Sequence, residues 1–358
     1  MGTRRAFLCQ AAAAGLGLAS GPVGAAAAAR RLGTVQTVQG AIDASRLGFT
    51  LTHEHLFAAS AGYWQYWPEY FGGRAPFIAK AVEKLKEVKA TGVDTIVDLT
   101  TPDLGRDVRL MQEVSQKSGV QIVAATGHWL DPSMSAQART IDELAEFFVK
   151  EIERGMEGTD IRAGVIKVAT DKDGVTPFIE KALRAAARAS KATGTPIETH
   201  TLASDKSGEK QAAIFDAEGL SPAMASIGHC DDSTDMTYLT GLMKRGYTIG
   251  MDHLSRGMVS DSDPAEVQPY KWTERVKRIK ALVDQGFGDR IFLSNDWLFA
   301  ASNYPTGTMD LLDQANGDGM CFLTRKVIPY MRQIGITDQA IRLMTVEHPR
   351  RFFGGTPA

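Results

Sequence analysis

The sequence predicts a (β/α)8 barrel of the TIM type, an α/β fold with all strands parallel, on three observations. From residue 48 onward, short β-branched or apolar runs alternate with longer stretches rich in Ala, Lys, Glu and Arg, the rhythm of repeated strand and helix units. The short runs number eight, and eight parallel strands with helices between them close most economically into a barrel. The competing open, doubly wound sheet would carry a Gly-rich phosphate loop after its first strand, whereas "THEHLFAASAG" stands here.

Taken in order, the chain begins with a segment unlike the rest. "TRRAFLCQAAAAGLGLASGPVGAAAAAR" has paired Arg4 and Arg5, a weakly apolar Ala/Gly/Leu stretch, and small residues that suit a signal peptidase. That is the layout of a twin-arginine export signal over residues 1–29, and it predicts a periplasmic protein. The apolar part is too short and Gly-rich to span a bilayer, so contact with a membrane is peripheral at most. Residues 30–358 are expected to form one barrel domain.

Its strands are expected at "GFTLTHEH" (48–55), "DTIVDLT" (94–100), "VQIVAATG" (120–127), "AGVIKVAT" (163–170), "TPIETHT" (195–201), "MASIGHC" (224–230), "YTIGMDH" (247–253) and "RIFLSND" (290–296). Helices are expected at "IAKAVEKLKEVKATG", "IDELAEFFVKEIERG" and "FIEKALRAAARASKATG", the first and third closing on a basic residue plus Gly. The longest irregular stretch, residues 254–272, follows the seventh strand, on the side where a barrel keeps its active-site mouth.

The composition narrows the function classes. A net charge of −2 with scattered Lys and Arg leaves no electrostatic footprint for nucleic acid. Cys9 would leave with the signal, and Cys230 and Cys321 do not make a disulfide framework in a domain this large.

Six of the 7 histidines, namely His53, His55, His128, His200, His229 and His253, fall at or just past the C-terminal end of an expected strand. One strand-end histidine is ordinarily a hydrogen-bonded structural residue. Six on one face of a barrel point to chemistry at that face. Alternation along "THEHL" turns His53 and His55 to one side and Glu54 to the other, so two imidazoles can grip one metal ion. Asp296, ending strand eight, becomes a neighbour of strand one on closure.

Lys167 sits mid-strand between Ile166 and Val168, where an ammonium is costly to desolvate. It either snorkels to the mouth and pairs with a carboxylate, or stays neutral and takes up carbon dioxide to give a carbamate that bridges two metals. In the second reading His200 and His229 hold the second ion. Nitrogen and oxygen donors without thiolate suit zinc, with manganese, cobalt or iron as alternatives. His128 is read as a packing or supporting residue and is not assigned to a metal.

At this point the chain resembles the bacterial phosphotriesterases of the amidohydrolase superfamily, also called aryldialkylphosphatases or parathion hydrolases. The likeness runs through "GFTLTHEH", "ATGHWLDP", "IRAGVIKVAT", "QAAIFDAEGLSP", "IGHCDD", "SNDWLF" and "TVEHPRRFF". It implies a binuclear centre at the strand C-termini: His53, His55 and Asp296 on the more buried ion, His200 and His229 on the more exposed one, carbamylated Lys167 between them. It also implies a metal-activated hydroxide as nucleophile and a proton relay through Asp296, His253 and Asp232. Trp129 matches an aromatic at the leaving-group site, and Tyr304, Leu104 and Leu298 match other pocket walls.

Several pocket positions depart from that pattern. Ala58 stands where glycine is common, Leu130 and Ala301 where phenylalanines are common, and Arg256 where a second histidine is common. Losing two aromatics removes flat surface for an aryl leaving group, and Arg256 could attract an anionic or carbonyl-rich ligand. The expected activity is phosphotriester hydrolysis. A lactonase using the same centre is the alternative, and a non-catalytic periplasmic metal- or ligand-binding protein the alternative of another class. The resemblance further implies a homodimer, for which the aromatic "YWQYWPEYFGG" could be the interface patch.

Overall fold

The computed structural model describes residues 33–256, 258, 261–302 and 307–355. The expected export signal and Tyr304 lie outside the described residues. Eight parallel strands run in the unbroken order β3 to β10: Thr50–Glu54 (β3), Thr95–Asp98 (β4), Gln121–Gly127 (β5), Val165–Ala169 (β6), Ile197–His200 (β7), Ala225–Ile227 (β8), Thr248–Met251 (β9) and Ile291–Leu293 (β10). Each lies inside one of the eight expected segments. With helices such as Arg74–Ala90, Ile141–Glu153 and Pro177–Thr193 between the strands, the molecule is a (β/α)8 barrel.

Local chemistry places these helices. Ile141–Glu153 starts on a capping box, with the Thr140 hydroxyl accepting from Glu143 N and the Glu143 carboxylate accepting from Thr140 N. Pro177–Thr193 starts on capping Thr176 with Pro at its first position, and ends at Gly194 in the left-handed region (φ 71°). Among the described residues no helix is long and apolar enough to cross a membrane.

Strand alternation divides the apolar side chains between two clusters. Ile96, Ile122, Ile166, Ile197, Ile249 and Leu293 pack with the helices, while Val97, Val123, Val165 and Phe292 fill the barrel interior. The interior cluster is completed by two features the sequence reading passed over. One is an antiparallel hairpin, Thr34–Thr37 (β1) and Gly40–Asp43 (β2), which contributes Val35 and Ile42. The other is the C-terminal helix His348–Gly354, which contributes Phe352 and Phe353.

The ladder between β3 and β4 shifts register between Leu51 and Glu54. This irregularity lets Leu51 pack outward with the helices while His53, two residues on, reaches the site. Closure between β10 and β3 is made one residue at a time. Asp296 N donates to His53 O at 3.0 Å, His55 N donates to Trp297 O at 2.9 Å, and His53 N donates to Ser294 Oγ at 3.0 Å. The expected adjacency of strands one and eight is therefore present, and it falls at the histidine pair.

Candidate metal centre

Three imidazoles of the centre are each oriented by a partner on the far side. His53 Nδ1 donates to Asp252 Oδ2 at 2.9 Å and His229 Nδ1 donates to Asp252 Oδ1 at 2.9 Å, so one buried carboxylate aims two rings. His55 Nδ1 donates to Thr100 Oγ1 at 2.9 Å, and that hydroxyl donates onward to Phe57 O. With Nδ1 carrying the proton, the Nε2 lone pairs of all three rings face the centre.

What they face is a set of other donors. His53 Nε2 lies 2.9 Å from Lys167 Nζ, His229 Nε2 lies 2.8 Å from His200 Nδ1, and His55 Nε2 lies 3.2 Å from Asp296 Oδ1. Lone pairs and an amine gathered this closely, with their opposite sides already satisfied, fit divalent cations placed among them. His53, His55 and Asp296 offer ligand atoms within 4.8 Å of one another. His229, His253 and Asp296 form a second such group. A third, His53, His229 and Asp252, is the orienting contact just described and leaves the inward nitrogens unused.

The titration behaviour agrees with ligand duty. Burial pulls His53 down to about 4, helped by the Lys167 charge, and burial lowers His200 and His229 as well, so the rings are neutral near pH 7. Burial lowers Lys167 to about 8 against the pull of Asp296 and Asp252. Its side chain is fully buried, so it does not snorkel to the mouth. Burial would raise Asp296, yet the Arg256 guanidinium and the hydrogen bond from His253 hold it well below the usual carboxylate range.

Two glycines make room for this arrangement. A Cβ on Gly127, at φ 115°, would sit 1.9 Å from Lys167 O, where β5 and β6 come close and His128 N donates to that same carbonyl. A Cβ on Gly250 would sit 2.3 Å from Asp252 Oδ2, inside the space the orienting carboxylate occupies.

The expected relay residues form a continuous chain. Asp296 Oδ2 accepts from His253 Nε2 at 3.0 Å, and His253 Nδ1 donates to Asp232 Oδ2 at 2.6 Å. Burial alone would lower His253, but the carboxylates of Asp232 and Asp296 outweigh it and lift the imidazole to about 10. Asp232 is held on its other oxygen by Arg275 at 2.6 Å, and the same guanidinium holds Asp231, whose carboxylate accepts from Asp252 N and His253 N. Asp232 is thus a structural anchor as well as the outer member of the chain.

A cavity of about 70 Å³ opens on this cluster, lined by His53, His55, Lys167, His200 and Asp296 together with Ala58, Leu104, Trp129, Leu298 and Arg256. Trp129 stands edge-on to His200, ring centroids 5.9 Å apart. Ala301 pairs with Ala58 in an isolated bridge and packs on the Ala58, Leu104 and Leu298 group. Leu130 differs from its expected place, lining a neighbouring cavity with Asp171, Lys172 and Phe178. Arg256 lies 2.7 Å from both Asp296 Oδ2 and Asp296 O, at the mouth of the centre.

Sequence reasoning missed two carboxylates that build the site. Asp252 in "YTIGMDH" sits one residue before a recognised histidine, and its position at a strand end was the available signal. Asp103 accepts from Trp129 N with both oxygens, from Asp131 N and from the Thr101 hydroxyl, and lies 3.2 Å from His128 Nδ1. His128 thus stands beside the carboxylate that fixes the Trp129 loop.

Fold and site define a class: a TIM barrel bearing, at the C-terminal ends of its strands, histidine and aspartate groups that could hold metal ions. A family model described as the Phosphotriesterase family matches residues 33–353, and the chain belongs to that family. It is 37% identical over 331 residues to the phosphotriesterase homology protein of Mycobacterium tuberculosis, covering 89% of this chain and 97% of that one. It is 32% identical to the aryldialkylphosphatase of Saccharolobus solfataricus, covering 87% and 96%. N-acetyltaurine hydrolase of Xenopus tropicalis is more distant, at 26% identity over 89% of this chain and 97% of that one. The solved structure of the phosphotriesterase from Mycobacterium tuberculosis aligns with a TM-score of 0.81 at 35% identity, covering 89% and 98%.

Proposed function

We propose that this chain is a hydrolase of phosphotriesters that works with two divalent metal ions, zinc foremost. His53, His55 and Asp296 would hold one ion, His200 and His229 the other, and Lys167, carbamylated on Nζ, would join them. The observation that carries this reading is that three outward-anchored imidazoles turn their free nitrogens into one buried cluster, His53 onto the Lys167 amine, His55 onto Asp296 and His229 onto His200. When bound, the ions supply an acidified water and polarise the ester oxygen.

The protein groups do the remainder. His253, hydrogen-bonded through Nε2 to Asp296 and through Nδ1 to Asp232, would carry a proton outward between the two carboxylates and stays oriented toward the mouth because Arg275 fixes Asp232. Trp129 would wall the leaving-group side, with Leu104 and Leu298 on other walls of the same cavity. The irregular segment after β9 contributes Arg256 at the entrance.

A second reading, hydrolysis of lactones or other carboxylic esters, is favoured by Arg256 beside Asp296 and by the absence of aromatics at Leu130 and Ala301. It is supported by a relative at 26% identity that is named N-acetyltaurine hydrolase. Side-by-side turnover of paraoxon and an acyl-homoserine lactone by zinc-loaded protein separates the two. Faster paraoxon turnover is expected; lactone turnover far above it reverses the order, and turnover of neither points to a binding protein.

A further inference from the structure

We propose that Glu54, the residue between the two histidines, is the positioning residue that sets Asp296 against them. The proposal rests on the metal-site reading above and goes beyond it, because Glu54 points away from the centre and touches no candidate ligand atom. Its side chain is fully buried, and four donors from the segment around Asp296 converge on it. Glu54 Oε1 accepts from Ser294 Oγ at 2.7 Å, Asn295 N at 2.9 Å and Asn295 Nδ2 at 3.0 Å, and Oε2 accepts from Trp297 N at 2.9 Å.

The backbone N–H groups on either side of Asp296 thus bind one carboxylate, while Asp296 N itself donates the opposite way, to His53 O. Between these hydrogen-bonded amides the chain turns at Asp296. Asp296 accordingly has φ 48°, in the left-handed region that a side-chain-bearing residue rarely adopts. The two hydrogen bonds from Asn295 and Trp297 to Glu54 hold it there. That same turn brings Asp296 Oδ1 to 3.2 Å from His55 Nε2 and 3.8 Å from His53 Nε2.

A buried carboxyl group in this position needs a reason, since burying one is unfavourable unless it is fully hydrogen-bonded. An apolar residue would fill the space as well, but would leave Asn295 N and Trp297 N buried without an acceptor. Glutamine would turn an NH2 group toward donors. Only a group offering acceptors on both arms satisfies the four donors.

The test is calorimetric titration of Zn2+ into metal-free wild type, Glu54→Gln and Asn295→Ala, with thermal unfolding of each metal-free protein as the control for folding. His55→Asn and His229→Asn identify which binding step belongs to which ligand set. The proposal expects Glu54→Gln to weaken the step lost in His55→Asn by roughly 10–100-fold, leaving the step lost in His229→Asn near wild type. Asn295→Ala, which keeps the carboxylate and removes one donor, gives a smaller loss in the same step. A role confined to stability would lower the unfolding midpoint and leave both steps unchanged, and that result overturns the proposal. Should Glu54→Gln fail to fold, unchanged Zn2+ binding in Asn295→Ala overturns it. Wild type that binds no Zn2+ removes the metal-site reading and this proposal together.

Discussion

That His53 and His55 share a face was legible from spacing, because a period of two puts alternate side chains on one side, and Asp296 at the barrel seam strengthened the reading of a metal grip. Asp252 was not legible, although it orients two of the rings. A carboxylate at a strand end reads equally as a cap, a salt-bridge partner or a ligand, and only the fold shows it spanning His53 Nδ1 and His229 Nδ1. Replacing it with Asn keeps the size but leaves a single acceptor oxygen for two N–H groups. Zn2+ affinity of Asp252→Asn is expected to fall roughly 10–100-fold with the fold intact; calorimetry giving wild-type affinity would contradict the orienting role. Arg256 was singled out from the sequence as a departure, and its contact with Asp296 could not be, since it depends on the path of the segment after β9.

At the scale of elements, all eight barrel strands fell inside expected segments, because short buried parallel strands are continuous apolar runs bounded by helical patterns. The hairpin β1–β2 was passed over because its strands, TVQT and GAID, are not apolar runs and stand outside the alternation of strands and helices. The register shift in β3 was invisible for a related reason, as one displaced residue leaves the composition unchanged. The C-terminal helix carries a testable signature. His348 Nε2 lies 2.9 Å from Thr248 Oγ1, beside Phe292, and burial with the charges of Arg351 and Arg290 lowers the imidazole from 6.5 to about 3. Above about pH 6.5 both folded and unfolded chains carry it neutral. As pH falls from there toward 3, the unfolded chain gains a proton that the folded chain refuses, so stability is lost on acidification. Between roughly pH 7 and pH 5 the loss attributable to His348 is about 2 kcal/mol. Urea unfolding of metal-free protein should show that much less pH dependence in His348→Gln; equal dependence in both would contradict the assignment.

For the whole molecule, the near-balanced charge left no electrostatic footprint for nucleic acid and the apolar fraction indicated a large globular core, and the family was within reach because its motifs span the barrel. Substrate choice was not, since it resides in a small cavity whose walls come from several loops, with Ala58, Leu104, Trp129, Leu298 and Arg256 brought together only by closure. The central claim is that the buried amine of Lys167 becomes a metal-bridging ligand. Intact native mass together with metal content of the active enzyme tests it most directly. The account predicts two divalent ions per chain and a labile added mass of one carbon dioxide that Lys167→Ala abolishes together with the metals. Active enzyme with one ion and an unmodified Lys167 would contradict it.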